Sequence, residues 1–245
     1  MRKEVMQEIK NMEENQDVLL NYSLLEFRHK LMLSYMYPNV IKNIEKKYGE
    51  LKEYEGHKNL TGMLEYYYYF FMGMFYFRQK DLTFSLSHYR QAEKYLDSID
   101  SEDIEVEKAE FYFKLSEVYY HMKQTYFSMN YAIRAYNIFK KQPVVHGNST
   151  YGVQKVCCQF VIFGNLLDIM KFDEALKRAY KAYQEAEELN KNEKNRGHLI
   201  RSALFNIGLC YNQMVELDKA FFHFYKSLQI TEPENHEYAA MLSPS

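Results

Sequence analysis

Apolar residues recur every three to four positions through most of this chain, which is the signature of amphipathic helices. In the first segment they stand at Val5, Ile9 and Met12, then at Leu19, Leu20, Leu24, Phe27, Leu31 and Tyr35. That stripe predicts helix over residues 1–36. Asn and Asp favour caps over helix interiors, so Asn15 to Asp17 mark a break or tight turn. Pro38 closes the segment. Residues 39–58 are charged and less regular, and read as a connecting segment with some helical tendency.

Four blocks with one shared pattern follow. They are Tyr69-x-x-Met72-Gly73-x-x-Tyr76, Tyr112-x-x-Leu115-Ser116-x-x-Tyr119, Gln159-x-x-Ile162-Phe163-x-x-Leu166 and Leu204-x-x-Ile207-Gly208-x-x-Tyr211. Their spacing is roughly 45 residues, the scale of a repeat architecture. After each block a second helix is predicted, with small and apolar residues at matching offsets. These are Ser85, Tyr89 and Ala92; Ser128, Ala132 and Ala135; Ala175, Ala179 and Ala182; Ala220, Phe224 and Ser227. The pattern resembles the tetratricopeptide repeat, in which small residues let two helices approach closely and large rings fill the space between pairs. The fourth block fits best, and the third is weakest because Phe163 takes the small position. The chain is therefore expected to be all-α: a partial N-terminal helical bundle with its linker over 1–58, a superhelix of about four helix pairs over 59–231, and an irregular tail over 232–245.

Composition narrows the function classes. The chain of 245 residues has 9 Gly and 4 Pro, but 24 Tyr and 17 Phe with no Trp. The aromatic run Tyr66 to Phe77 is read as packing between helices, not as a base-stacking platform. A net charge of −2 argues against a nucleic-acid binder, which carries a basic excess. No apolar run reaches the length of about 20 residues that a membrane span needs, and Met1-Arg2-Lys3-Glu4 does not open a secretory signal. Cys157, Cys158 and Cys210 are odd in number, which suggests a reducing compartment, and the expected location is the cytoplasm. The histidines show no metal-ligand spacing, and no phosphate-binding glycine loop is present. No metal site and no cofactor of the chain's own is expected.

Several longer words are more specific. Glu26-Phe27-Arg28-His29, Leu60-Thr61-Gly62, Leu64-Glu65-Tyr66-Tyr67, Glu107-Lys108-Ala109-Glu110-Phe111, Lys123-Gln124-Thr125-Tyr126-Phe127-Ser128-Met129 and Asn206-Ile207-Gly208-Leu209-Cys210 occur in this order. In these the chain resembles the Rap family of Bacillus, response regulator aspartate phosphatases controlled by Phr signalling peptides. The resemblance implies a three-helix bundle joined to a tetratricopeptide superhelix. It implies either dephosphorylation of a sporulation-phosphorelay regulator or, without chemistry, sequestration of a competence transcription factor. Relative to that pattern the chain is expected to begin within the second bundle helix and to stop after about four repeats. An inactive relative is the third reading, and the apolar stripe left open at the N-terminus predicts self-association.

The resemblance also assigns residues. Gln16, within the cluster Glu13-Glu14-Asn15-Gln16-Asp17, is the catalytic candidate. Its carboxamide can accept from an attacking water and donate to a phosphoryl oxygen without adding negative charge. Glu14, Leu19, Phe27 and Asp103 are expected to contact the regulator; for Leu19 and Phe27 the competing role is bundle core. Asp168 and Asn206 are expected to hold a short extended signalling peptide. Any magnesium belongs to the phosphorylated partner.

Overall fold

The structure is a computed structural model and describes residues 16–36, 41–52, 62–99, 104–145, 148–189 and 196–230. The chain divides into two compact units; among the described residues, one holds four helices and the other six.

In the first unit, α1 (Gln16–Met36) and α2 (Ile41–Lys52) precede the hairpin of α3 (Gly62–Arg78) and α4 (Leu82–Ser98). Leu20, Leu24, Phe27 and Leu31 form the buried stripe of α1, which packs on α2 and α3. The helical tendency expected within the charged connecting segment 39–58 takes the form of a regular helix over 41–52. Ile44 and Leu51 are buried, and Tyr48 lies between them, stacked on Phe75 at 4.7 Å with its hydroxyl 2.6 Å from that of Tyr76. Three apolar residues at helical spacing suffice to anchor a helix whose other positions are charged. The aromatic run of α3 is core: Tyr66, Phe70, Phe71 and Met72 are all buried, as the sequence led us to expect.

The second unit contains α5 (Glu105–His121), α6 (Thr125–Lys141), a two-residue antiparallel bridge of β1 (Val144–Val145) with β2 (Asn148–Ser149), α7 (Gly152–Asp168), α8 (Phe172–Glu187), α9 (Arg196–Gln213) and α10 (Leu217–Gln229). The helices pair as hairpins α5/α6, α7/α8 and α9/α10, and each hairpin packs on the next. Neighbouring hairpins are joined in antiparallel register. Ala175 and Ala179 share one cluster with Cys210 and Ile207, while Ala182 and Ala186 share another with Ala203 and Leu199.

All four hairpins turn in the same way. Lys80, Lys123, Met170 and Val215 have φ of 62°, 58°, 59° and 62°. Each stands seven residues after Gly73, Ser116, Phe163 or Gly208. The residue after the left-handed one donates its N–H to the carbonyl five positions back: Asp81 to Tyr76, Gln124 to Tyr119, Lys171 to Leu166 and Glu216 to Tyr211, at 2.8–2.9 Å. This is a Schellman-type termination, which satisfies carbonyls that the helix end leaves open.

The weak third repeat has a physical explanation. A Cβ on Gly73 would lie 2.7 Å from the ring of Tyr89, and one on Gly208 would lie 2.6 Å from Phe224. Twelve and sixteen residues after each small position stand the residues of the facing helix. Where the first helix carries Gly, the second carries a ring; where the first carries Phe163, the second carries Ala179, wholly buried beside it. Repeat two carries a small residue on both helices, Ser116 and Ala132. In the other three only one of the two positions carries bulk, as close packing demands. In the first two hairpins a buried hydroxyl adds a bond across the contact: Ser85 donates to the Gly73 carbonyl at 2.8 Å and Ser128 to that of Ser116 at 2.9 Å.

Two predictions follow from these contacts. Gly208→Ala drives a methyl into the Phe224 ring and is expected to lower stability by about 1–3 kcal/mol. Adding Phe224→Ala should recover part of that loss, so a double-mutant cycle in denaturant must give a favourable coupling; strict additivity would refute the size-exchange account. Val215 is a β-branched residue in the left-handed region. Val215→Gly should raise stability by about 1 kcal/mol, measurable as a higher melting temperature.

Candidate functional site

The residues singled out from sequence fall on both units. Glu14 and Asp103 lie outside the described residues. Gln16 is the first described residue of α1, four positions ahead of Leu20 on the same helical register; its side chain lies outside the described part.

Phe27 is fully buried, its ring 5.9 Å from Phe75. The expectation that it touches a regulator is corrected: it is core, and the packing of α1 on α2 and α3 closes it off. Leu19 is half-buried at the edge of that core. The face that α1 presents outward is a different one. Val18, Leu25 and Met32 are 39%, 55% and 52% exposed. They recur every seven residues and so share one stripe. Arg28, also exposed, lies over the Phe71 ring at 5.8 Å. The sequence signal for this face was the heptad spacing, hidden because Leu25 sits beside Leu24 in an unbroken apolar pair.

In the second unit, Asp168 ends α7 and Asn206 lies within α9. These first helices of successive pairs touch one another, as do α5 and α7, and together they form one face. Asp168 stands five residues after the small position of its repeat and Asn206 two before its own. The two are therefore about seven residues, or ~10 Å, out of register along the helix direction. A strand advances about 3.3 Å per residue, so an extended segment of three or four residues spans that offset.

Asp168 is not idle. Lys123, from the turn of the preceding hairpin, donates to it at 2.9 Å. The bond to Asp168 also holds the Lys123 ammonium above its ordinary pKa, although Lys123 is largely exposed. Lys123 in turn lies 5.2 Å above the ring of Tyr120, whose hydroxyl is pushed up in pKa by burial and then by Asp168. That ring closes over Gly164, where a Cβ would meet its oxygen at 2.9 Å. An arriving cation would compete with Lys123 for the carboxylate. Asn206 is half-buried.

One polar residue escaped the sequence reading. Asn165 is 1% exposed and donates to the Ser128 hydroxyl at 2.7 Å and to the Val161 carbonyl at 2.8 Å. Ser128 passes the bond to the Ser116 carbonyl. Asn165 thus locks two hairpins together, since a buried amide must be paired. Nothing in a single apolar helix announces such a partner 37 residues away.

The three cysteines offer no nucleophile. Burial pushes the Cys157 thiol up to about 12 and Cys210 up to about 11, and raises Cys158 strongly as well. Reaction needs the thiolate, which is scarce at neutral pH under these conditions. Among the described residues no cluster of His, Cys, Asp or Glu could hold a metal ion, and no helix is long and apolar enough to cross a membrane.

Comparison with known proteins gives this geometry a setting. Residues 1–34 match the family model described as response regulator aspartate phosphatase H, N terminal. Over 238 residues the chain is 48% identical to Response regulator aspartate phosphatase I of Bacillus subtilis (strain 168), covering 97% of this chain and 57% of that relative. The crystal structure of the apo form of RapI superposes with a TM-score of 0.74 at 47% identity, over 93% of this chain and 58% of RapI. A Rap protein complexed with competence and sporulation factor gives 0.74 at 38% identity, again over 93% and 58%. The chain thus spans under three-fifths of the length of these relatives. In its long sequence words, its matched N-terminal segment and its repeated hairpins, the chain is homologous over nearly all of its length to proteins of the Rap family.

Proposed function

We propose that this chain acts on a phosphorylated response regulator, releasing phosphate from its aspartyl phosphate, with Gln16 as the water-positioning residue. The observation that carries the reading is the match of residues 1–34, Gln16 among them, to the N-terminal model of a response regulator aspartate phosphatase. Identity of 48% to a protein of that name, continuing through the repeats, supports it.

The chemistry asks little of the protein beyond position. An aspartyl phosphate is a mixed anhydride. In-line attack by water breaks the P–O bond to the carboxylate, forms a P–O bond to the water oxygen and leaves free aspartate and inorganic phosphate. A carboxamide serves this step as a neutral bifunctional group. Its oxygen accepts from the incoming water and its NH2 donates to a phosphoryl oxygen, so attack is aligned without a repelling charge. Divalent metal in this scheme is bound by the regulator and neutralises the phosphoryl group. The Val18, Leu25 and Met32 row on α1, beginning two residues after Gln16, is the apolar surface on which the regulator docks.

A second role is peptide control. A relative of the same fold was crystallised with competence and sporulation factor. We place a short extended peptide on the first-helix face of the second unit, with Asn206 pairing its backbone N–H and C=O and Asp168 receiving a cationic group in exchange for Lys123.

The test of the first reading uses the chain with a phosphorylated response regulator, following inorganic phosphate. Gln16→Asn retracts the amide by one methylene, and a displacement of that size is expected to cost about a hundredfold in release rate while regulator binding persists. Leu25→Glu should weaken binding itself. Binding of the regulator without any release would instead establish sequestration, and refute the catalytic role of Gln16. For the peptide, Asn206→Ala should weaken binding of competence and sporulation factor at least tenfold by fluorescence anisotropy, the loss of a paired amide being worth about 1.5 kcal/mol or more.

A further inference from the structure

The third hairpin departs from its neighbours at one buried level. Four residues before and fifteen after the small position, the first hairpin carries Tyr69 and His88, the second Tyr112 and Tyr131, and the fourth Leu204 and His223. The first two pairs are ring contacts, at 6.3 and 5.8 Å. The third hairpin sets Gln159 and Arg178 there, and Arg178 donates to the Gln159 side-chain oxygen at 3.3 Å. Gln159 is wholly buried. Its NH2 group donates at 3.5 Å to Glu185, whose other oxygen accepts from the Tyr136 hydroxyl at 2.5 Å. A fold that fills this level with rings elsewhere gains no packing from an amide and a guanidinium. Such departures from local consistency gather where a protein binds something.

Charge is segregated around the same level. The chain has 33 Asp and Glu, yet residues 118–167 hold none, while carrying Lys123, Arg134, Lys140, Lys141 and Lys155. Lys140 stands four residues from Tyr136 on α6, Lys155 four from Gln159 on α7, and Lys181 four from Glu185 on α8. Each therefore shares a helix face with a member of the buried network. The Lys181 ammonium lies 4.6 Å from the centre of the Tyr136 ring. Elsewhere lysines find a carboxylate three or four residues away, as Lys30 does in Glu26, Lys114 in Glu117 and Lys171 in Glu174. Glu185 holds that place for Lys181, but its oxygens are turned to Tyr136 and Gln159. Among the described residues Lys140, Lys155 and Lys181 form no ion pair. Burial holds the Lys181 ammonium below its ordinary pKa. Glu185 pulls it back up, and the like charges of Arg178, Lys140 and Lys155 add to the lowering. Four cations from three helices thus surround one carboxylate whose oxygens are already bonded.

We propose that Lys140, Lys155, Lys181 and Arg178 form a binding site for a small free phosphoanion of more than one charge, pyrophosphate being the simplest. Lysines act on phosphate as point charges, and several can share one group because its oxygens point in different directions. A monocarboxylate neutralises only one of the cations and leaves the others in repulsion. Lys140 is exposed, and Lys155, Arg178 and Lys181 are half-buried, so the site is open to solvent. An anion bound there would bridge the second and third hairpins. It touches none of the residues assigned to the regulator or the peptide.

Isothermal titration calorimetry of the 245-residue chain with pyrophosphate at low ionic strength tests the site. Dissociation on the order of 0.1 mM is expected, weakening as salt is raised. Lys155→Gln and Lys181→Gln should each weaken binding about fivefold, and the two together about twentyfold. Helicity by circular dichroism should be unchanged in all three. Lys108→Gln, on α5 and already paired with Glu105 at 3.6 Å, should leave binding as it is. Acetate should bind far more weakly. No binding of pyrophosphate at low salt overturns the proposal. Binding indifferent to Lys155→Gln with Lys181→Gln overturns it too, as does acetate binding equally well. Capture by vesicles of phosphatidylcholine and phosphatidic acid, without binding of pyrophosphate, also overturns it and gives these cations to a lipid surface instead. None of these outcomes bears on Gln16, so the phosphatase reading stands or falls separately.

Discussion

The described hairpins depend on one contact: a helix brought so close to its partner that at one position no more than one of the two carries bulk. At Gly73 and Gly208 the first helix yields and a ring from the second fills the space; at Phe163 the second helix yields with Ala179. Seven residues after that contact the chain reverses through a left-handed residue, four times over. The two features are coupled. The close approach fixes where the second helix must start, and the turn must then reverse within three residues. A left-handed residue does this while satisfying the helix-end carbonyls. None of the four residues that occupy it is glycine, so each carries the conformational cost of an L side chain there. The packing on either side sustains that cost.

That constraint distributes the chemistry. The hairpin interior is closely packed, and the buried polar residue Asn165 is paired there with Ser128 and Val161. The remaining polar groups are displaced to the helix faces and turns. Asp168 is one of these. It sits at the end of α7 because the turn begins there, and Lys123 reaches it because the preceding turn is the same shape one period away. An exposed pair of this kind adds little to stability. In the proposed peptide reading, the carboxylate is presented with a cation already on it and would select for ligands able to replace that cation.

Much of this architecture is legible in the order of residues, and the failures have identifiable causes. Periodicity revealed the repeats, because a packed hairpin cannot vary its small position freely. It undervalued the third repeat, since a pattern scanned along one helix does not register that Ala179 on the next makes room for Phe163. It registered α2 only as a tendency, since its apolar positions Ile44, Tyr48 and Leu51 are three among many charges. It divided Leu19 and Phe27 evenly between core and surface, because helical spacing defines a face without saying which side is covered. Phe27 proved to be core, and the exposed row is Val18, Leu25 and Met32. Asn165 could not be found at all from local pattern, since its meaning lies in a partner on another hairpin.

The same reasoning bears on how the proposed activity could be controlled. In the proposed function the water-positioning amide would lie on the first unit and the peptide face on the second, so a peptide need not compete with a regulator for any one residue. Binding energy gained on the face formed by α5, α7 and α9 can act elsewhere only by favouring one arrangement of the hairpins over another. The contacts able to report such a change are those between hairpins, not those within them. Within a hairpin the size exchange at the small position leaves no room to slide. Between the second and third hairpins the links include the Asn165–Ser128 bond, Tyr136 on Glu185, Gln154 on Glu110, the Tyr120 ring over Gly164, and Lys123 on Asp168. The last includes the residue to which the proposal assigns the ligand. A ligand that takes Asp168 from Lys123 would therefore act first on the junction of these two hairpins.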